Sequence, residues 1–228
     1  MRVDGERRGL QLATGRPAGE VSCCPPPGDG GGGLRLLLAR HGETEWNRAG
    51  RYQGQSDVPL SEAGRAQAAL LARRLAREVR IPSASFTGAV VGLYSSDLAR
   101  ARETAAAVAR ALGAEVVCLP GLREVSFGEW EGLTHAEISA RWPALWEARL
   151  KDPWTVAPPG GESLRQVFRR ALETLRRLRR VHPSGTVVAV SHGGLMGALV
   201  ARLSGVPLWS VSHLPTALTT LHWPPGAD

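Results

Sequence analysis

The chain has 228 residues, 43% of them hydrophobic, which is enough for one domain with a buried core. No run approaches the ~20 apolar residues of a membrane-spanning helix, so we expect no membrane partner. The formal charge of +7 could suit nucleic acid, but all but one of the 28 basic residues are arginine, and they are spread over every predicted helix. We expect no specific nucleic-acid partner, although a positive field also attracts phosphorylated metabolites.

Residues 1–33 differ in composition from the rest of the chain. They hold a Cys-Cys-Pro-Pro-Pro run and a cluster of glycines, with too few apolar groups to offset the entropy cost of ordering. We predict a disordered low-complexity tail without the apolar core of a signal peptide, followed by one domain over residues 34–228. Cys23, Cys24 and Cys118 have neither disulfide nor metal spacing, so we expect a reducing, cytoplasmic location.

The domain begins with an apolar run from Leu34 to Ala39, which predicts a buried strand ending at Arg40 and His41. A loop rich in turn residues follows over residues 50–59. Ser61 is predicted to cap the next helix. The apolar residues of that helix recur at three-and-four spacing: Ala68, Leu71, Ala72, Leu75 and Val79.

A second strand is predicted from Val90 to Tyr94, followed by an amphipathic helix that opens with Arg100. Gly113 has the position of a C-cap for that helix. Residues 115–119 then predict a short edge strand, which contains Cys118.

Residues 121–161 change in character, because they hold four of the seven tryptophans and several prolines. A capping box from Thr134 to Glu137 predicts one short helix there. We interpret the segment as an excursion over the active site at the sheet edge. Bulky aromatic residues more often build the core than line a pocket. If two of these tryptophans line the mouth of a substrate pocket, the substrate is expected to have an apolar or ring-bearing leaving group. The four are Trp130, Trp142, Trp146 and Trp154.

The last third of the chain returns to regular elements. A helix over residues 163–181 has arginines on its outer face, and a buried strand over 186–190 ends in Ser-His-Gly-Gly at 191–194. A further helix stops at Gly205, and residues 217–223 alternate as a last strand. Alternating strands and helices predict a three-layer α/β/α sandwich with a largely parallel central sheet.

His41 and His192 share one context, since each directly follows an apolar strand and precedes a glycine. If the two strands are parallel neighbours, both imidazoles lie at the same edge of the sheet, where α/β proteins bind ligands. Arg40 and Arg100 add forked donors suited to phosphate oxygens. The glycines that follow both histidines let backbone amides come close to a ligand, and a helix start there favours an anion. Together these residues predict a phosphate pocket.

Each of these residues also has a structural interpretation. A lone histidine at a strand end is as often a structural group as a catalyst, and Arg100 alone would be a solvated residue. Glu124 alone would be an exposed loop carboxylate. A metal site is the competing functional interpretation for two histidines and a glutamate, but no ligand spacing supports it.

The run Arg-His-Gly-Glu-Thr at 40–44 resembles the first motif of the histidine phosphatase superfamily, the phosphoglycerate mutase-like enzymes. Five further segments resemble that family's motifs in the same order, so the resemblance extends from about Leu34 to Trp223 and leaves out the tail. They are residues 60–68, 95–105, 122–132, 160–164 and 191–194. The resemblance implies a phosphoglycerate mutase-like fold and favours the branch of broad-specificity and α-ribazole phosphatases.

The resemblance also implies roles for single residues. His41 matches the nucleophile that becomes phosphohistidine, and Glu124 matches the general acid and base. The residues implied to hold or line the phosphate are Arg40, Arg100, His192, Asn47, Gln53, Gly54 and Gly193. The implied activity is that of a histidine acid phosphatase-type phosphomonoesterase that needs neither metal nor cofactor.

Two alternatives stay open at this point. Phosphoglycerate mutases of this family carry a longer insertion between the acid/base glutamate and the second histidine, and the short interval from Glu124 to His192 favours a phosphatase. A phosphosite-binding module without catalysis is opposed by the presence of every catalytic position.

The substrate is not determined by the sequence. Small esters such as α-ribazole phosphate, phosphoserine, sugar phosphates and 3-phosphoglycerate esters are candidates. We expect Thr216 and His213 to border the pocket. A homodimer is compatible with the sequence.

Overall fold

The computed structural model describes residues 11–12, 33–79, 90–208, 211 and 214–224, and these form one central sheet flanked by helices. The strands are β1 (Gln11–Leu12), β2 (Leu34–Arg40), β3 (Val90–Ser95), β4 (Val116–Cys118), β5 (Gly185–Ser191) and β6 (Leu218–Trp223). Their order across the sheet is β1-β6-β2-β5-β3-β4. Neighbours from β2 to β4 are parallel, whereas β6 and β1 are antiparallel to their partners. The predicted largely parallel sheet is confirmed.

The helices are α1 (Glu45–Arg48), α2 (Glu62–Glu78), α3 (Ala99–Leu112), α4 (His135–Arg141), α5 (Pro143–Lys151), α6 (Leu164–Val181) and α7 (Gly193–Ser204). Two short 3₁₀ turns cover Pro120–Leu122 and Gly128–Trp130. Local signals in the sequence set several of the ends. The Ser61 side chain accepts from the Gly64 backbone N–H, and Gly113 ends α3 with a positive φ of 65°, as predicted.

Successive side chains of β2 lie on opposite faces of the sheet, which explains why the protein has three layers. Leu36 and Leu38 lie in the apolar cluster formed with α6 and α7, whereas Leu37 and Ala39 lie in the cluster formed with α2 and α3. Because both faces of the strand are covered, all four side chains are buried. Full burial of a leucine contributes roughly 2 kcal/mol, so β2 anchors both layers. The predicted α/β/α sandwich is confirmed.

Residues 121–161 leave the sheet after β4 and carry α4 and α5. Trp130, Ile138 and Trp146 form a buried cluster of their own, with Trp142 packed against it. Trp154 instead packs against the main core. The tryptophans of this segment therefore build core, as the sequence favoured.

Within the range predicted as a tail, the structure describes Gln11–Leu12 and Gly33. Gln11–Leu12 pairs antiparallel with β6 as the edge strand β1. The remaining tail residues lie outside the described residues, as does His213. The described helices include none long and apolar enough to cross a membrane.

Candidate active site

The two histidines lie at adjacent strand ends. In the register of β2 and β5, Arg40 is opposite Ser191, and the backbone N–H of His41 donates to the Ser191 carbonyl at 3.0 Å. His41 and His192 directly follow these residues, and their ring centroids are 5.1 Å apart at an interplanar angle of 57°. The parallel pairing that the sequence required for their meeting is therefore present.

His41 is held in one tautomer. Its Nδ1 lies 2.6 Å from the Gly42 carbonyl oxygen, which can only accept, so Nδ1 carries the proton and the lone pair is on Nε2. Burial, together with the charges of Arg100 and Arg40, holds the pKa of His41 well below its ordinary value. A neutral imidazole with a free Nε2 lone pair is the form that can act as a nucleophile.

His192 is fully buried as the N-cap residue of α7. Neither of its ring nitrogens has a hydrogen-bond partner within the part of the chain that the structure describes. Burial, and then the charges of Arg100, His41, Arg40 and Arg170, lower its pKa well below the ordinary value. Since buried polar atoms normally have partners, the unused nitrogens of His192 are suited to a ligand oxygen beside His41.

Arg100 is completely buried, in contrast to the solvated residue that its helix alone would suggest. Its Nη1 and Nη2 donate to the carbonyls of Ser56 and Gly54 at 2.8 and 2.7 Å. Burial lowers its pKa to about 10, against the opposing charges of Glu124 and Asp57. These bonds orient the guanidinium and leave its buried Nε without a partner among the described residues.

Arg40 contributes the second guanidinium, also with a buried Nε that has no partner in the described residues. Burial lowers its pKa, and the charge of Glu124 opposes that shift. The charges of Arg40 and Arg100 lower the pKa values of both imidazoles, so two cationic groups that favour an anion lie beside the two histidines at one edge of the sheet.

Glu124 lies at the N-terminus of α7. Its carboxylate accepts from the backbone N–H groups of Gly194, Leu195 and Val125 at 3.0, 3.0 and 2.9 Å. A Cβ on Gly194 would lie 2.6 Å from Glu124 Oε1, so the close approach requires glycine. The start of this helix is therefore occupied by the side chain of the protein's own glutamate.

That arrangement corrects one expectation from the sequence. The amides of Gly42 and Gly194 were expected to face the ligand, but Gly42 N–H donates to Thr104 Oγ1 at 3.1 Å and Gly194 N–H donates to Glu124. Both amides are used inside the protein because each lies beside a side-chain oxygen from a distant segment. The glycines thus position His41 and Glu124.

The other predicted binding residues surround this cluster in different ways. Asn47 uses its carbonyl oxygen in the capping box of α1 with Thr44, so its amide nitrogen is the part able to donate to an oxyanion. Gln53 is buried, and its Oε1 has no partner in the described residues. Gly54 binds Arg100 through its carbonyl, and Gly193 is the buried first residue of α7.

Thr216 contacts His41 through the backbone. Its N–H donates to the His41 carbonyl at 3.3 Å, and its φ of 58° places a β-branched residue in the left-handed region. The backbone strain at Thr216 is therefore local to His41.

Sequence reasoning missed two residues that position the site. Thr104 accepts from Gly42 and donates to the Arg100 carbonyl at 2.8 Å. The Glu131 carboxylate accepts from the Gln55 N–H, the Phe127 N–H and the Ser56 hydroxyl. Both lie inside recognised motifs, and the spacing of four from Arg100 to Thr104 was the signal that these two share a face of α3.

Two imidazoles at the carboxyl ends of parallel strands, beside the guanidiniums of Arg40 and Arg100, are the arrangement expected of an α/β enzyme that handles phosphate esters. In the described residues no three metal-ligating side chains are grouped closely enough to hold a metal ion. The family model of the histidine phosphatase superfamily (branch 1) matches residues 36–227, and the chain belongs to this family. It is a phosphomonoesterase of the phosphatase branch.

Curated relatives cover most of the chain. Phosphoserine phosphatase 1 of Hydrogenobacter thermophilus is 36% identical over 192 residues, which are 83% of this chain and 86% of the relative. Glucosyl-3-phosphoglycerate phosphatase of Mycobacterium tuberculosis is 37% identical over 208 residues, which are 85% and 88% of the two chains. Both relatives are named as phosphatases of small metabolites.

Solved structures share the fold. Mycobacterial glucosyl-3-phosphoglycerate phosphatase in complex with VO3 superposes with a TM-score of 0.70 and 35% identity, over 82% of this chain and 90% of that one. The α-ribazole phosphatase of Shigella flexneri gives a TM-score of 0.66 and 31% identity, over 78% and 83%. These likenesses support the phosphoglycerate mutase-like fold implied by the motifs.

Proposed function

We propose that the protein hydrolyses a small phosphate monoester, without a metal ion, through a phosphohistidine on His41. One observation carries the proposal: His41 Nδ1 is tied to the Gly42 carbonyl, so Nε2 offers a lone pair beside His192 in a field made by two arginines. That arrangement pairs a nucleophile with groups that stabilise the charge of a transferring phosphoryl group.

In the first half-reaction, Nε2 of His41 attacks phosphorus and the bond from phosphorus to the ester oxygen breaks. Arg40, Arg100, His192 and Asn47 hold the equatorial oxygens, where negative charge is spread in the transition state. Glu124 gives its proton to the leaving alkoxide, which departs as the alcohol. His41 is left as a phosphohistidine.

In the second half-reaction, water attacks the phosphohistidine while the carboxylate of Glu124 takes its proton. The bond from Nε2 to phosphorus breaks, and the electron pair returns to the imidazole. Inorganic phosphate is released with Glu124 protonated again, so the cycle closes without a metal or cofactor.

We place the substrate among small phosphorylated metabolites. Relatives named as phosphoserine and glucosyl-3-phosphoglycerate phosphatases support phosphoserine and sugar-linked phosphoglycerates as the first compounds to test. The solved α-ribazole phosphatase adds a nucleoside-like phosphate to that set.

The test is a panel of phosphomonoesters assayed in excess chelator with the wild type, His41→Ala and, as a control, His135→Ala, which removes an exposed imidazole on α4. We expect hydrolysis by the wild type and the control and none by His41→Ala. Acid quenching during turnover should trap an acid-labile phosphoenzyme. Activity that needs a metal ion, or that survives His41→Ala, would refute the proposal, and conversion of 2- to 3-phosphoglycerate without hydrolysis would assign the chain to the mutases.

A further inference from the structure

The segment that carries Glu124 is held by a side chain from α6. The guanidinium of Arg170 donates to the carbonyls of Gly121, Arg123 and Glu124 at 3.2, 2.6 and 2.7 Å. It also makes two hydrogen bonds to the Glu162 carboxylate, at 2.8 and 2.9 Å. These five bonds use all five N–H donors of an arginine, so the group is fully committed to this segment.

Glu162 holds the same segment from its other side. Its Oε2 accepts from the Ser126 N–H at 2.9 Å, and its own backbone N–H donates to the Ser126 carbonyl at 2.8 Å. A Cβ on Gly161 would lie 2.6 Å from that carbonyl, which explains the glycine. Ser163 then caps α6. The Gly-Gly-Glu-Ser motif therefore brings the start of α6 against the acid/base segment.

The Glu162 carboxylate stays ionised in this setting. Partial burial alone would raise the pKa of Glu162, but the hydrogen bonds from Arg170 and from the Ser126 backbone outweigh it, and that pKa lies below its ordinary value. The ion pair is only about one-fifth exposed on either side. A charge-assisted, two-point pair of this kind fixes geometry as well as charge.

Gln55 connects the Arg170–Glu162 pair to the loop over residues 50–59. Its Nε2 donates to the Glu124 carbonyl at 3.2 Å, so that carbonyl has two side-chain donors. The neighbours of Gln55 in the chain, Gly54 and Ser56, supply the carbonyls that orient Arg100. The backbone of Glu124 is thereby tied to the residues that hold the phosphoryl group.

We infer that Arg170 and Glu162 are positioning residues that set where the Glu124 carboxyl meets the leaving-group oxygen. The inference rests on the proposed function. Glu124 is fixed at its carboxylate by the start of α7 and at its backbone by Arg170, so the loss of either contact lets it shift. A displacement of about 1 Å at a reacting group costs roughly 10²-fold in rate, and the loss falls on the step that needs the acid.

The experiment compares kcat/KM for an alkyl ester, O-phosphoserine, with kcat/KM for p-nitrophenyl phosphate, whose leaving group needs no proton. The quotient of the two, the alkyl/aryl ratio, reports the acid because kcat/KM covers only the steps through phosphoryl transfer to His41. We expect Arg170→Met to lower this ratio by about tenfold or more. Arg170→Lys should lower it too, since an ammonium cannot make five bonds.

Arg177→Met is the matched control, because Arg177 also lies on α6 and pairs with a glutamate, Glu173, but is exposed. We expect the control to change the ratio by less than about twofold. In a Glu124→Gln background, Arg170→Met should leave the ratio unchanged within about twofold, because its effect passes through Glu124. If Arg170 had only a structural role, Arg170→Met would lower kcat/KM equally for both esters, with or without Glu124→Gln.

Two results for Arg170→Met would overturn the inference. One is an equal loss of kcat/KM on the two esters. The other is a fall of the alkyl/aryl ratio in the Glu124→Gln background that is as large as in the wild-type background. Thermal unfolding of each variant accompanies the kinetics. If Arg170→Met does not fold, Glu162→Gln decides, since it keeps the shape of the side chain and should lower the same ratio. If the wild type hydrolyses another alkyl ester of the panel but not O-phosphoserine, that ester replaces O-phosphoserine in the ratio. Absence of hydrolysis of every panel ester by the wild type would instead refute the proposed function, so the two failures are distinct.

Discussion

The two ends of this site are held in different ways. At the proposed phosphoryl end, His41 and His192 follow β2 and β5, and the backbone ladder between these strands sets their separation. At the proposed leaving-group end, Glu124 lies between two 3₁₀ turns, where Arg170 bonds its backbone and the start of α7 bonds its carboxylate. One end depends on backbone pairing, and the other depends on individual side chains.

The difference has a physical consequence. Ladder bonds are made by the main chain, so exchanging a side chain for any residue except proline leaves them in place, and both faces of β2 are packed. A side-chain clamp loses its bonds with one mutation, and each buried group left without a partner costs about 1–3 kcal/mol. Substitutions at the leaving-group end should therefore discriminate between substrates, whereas those at the phosphoryl end should not.

The largest difference between the two esters should come from Glu124→Gln. Without the acid, kcat/KM for phosphoserine should fall about 10³-fold, while kcat/KM for p-nitrophenyl phosphate should fall no more than about tenfold. Steady-state kinetics on both esters measure this. Equal losses would show that Glu124 is not the acid, and the comparison of the two ends would fail.

Arg100→Leu should reduce kcat/KM about 10²- to 10³-fold on both esters, because the charge that it stabilises is the same for every leaving group. Binding of orthovanadate should weaken in parallel, as isothermal titration would show. Arg110→Leu, an exposed arginine at the other end of α3, is the control and should behave as wild type. A loss confined to one ester would place Arg100 at the leaving-group end.

Thr104→Val removes the acceptor of the Gly42 N–H and keeps the size of the side chain. We expect a loss of about 1–3 kcal/mol in unfolding free energy and about tenfold in kcat/KM on both esters. Thr104→Ser keeps the hydroxyl and should lie close to wild type in kinetics. If the serine variant were as impaired as the valine variant, packing of the methyl group would explain the loss.

The smallest effect concerns pH. The pKa values of His41 and His192 are lowered in the folded protein, so below the unfolded value of about 6.5 the unfolded chain binds more protons and stability falls as pH falls. Urea unfolding at pH 7.5 and at pH 6 should show this loss of stability. His192→Asn should lessen the dependence of the unfolding free energy on pH.

Much of the fold and of the phosphoryl end was predictable from the sequence. The apolar runs before His41 and His192 specify two buried strands, and Ser61, Gly113 and the Thr134 capping box specify helix ends, because these signals act over a few residues. The family motifs then identify which polar residues matter.

The leaving-group end was decided by tertiary structure. Arg170 lies on a helix whose arginines cover its outer face in sequence, and nothing local distinguishes it from Arg177. Its three backbone partners are 46 to 49 residues away in the chain, so its role exists only once α6 packs against residues 121–126. The sequence by itself determined the strands, the helix ends and the paired histidines, while packing between distant segments determined which arginine holds Glu124 and which amides the carboxylate takes.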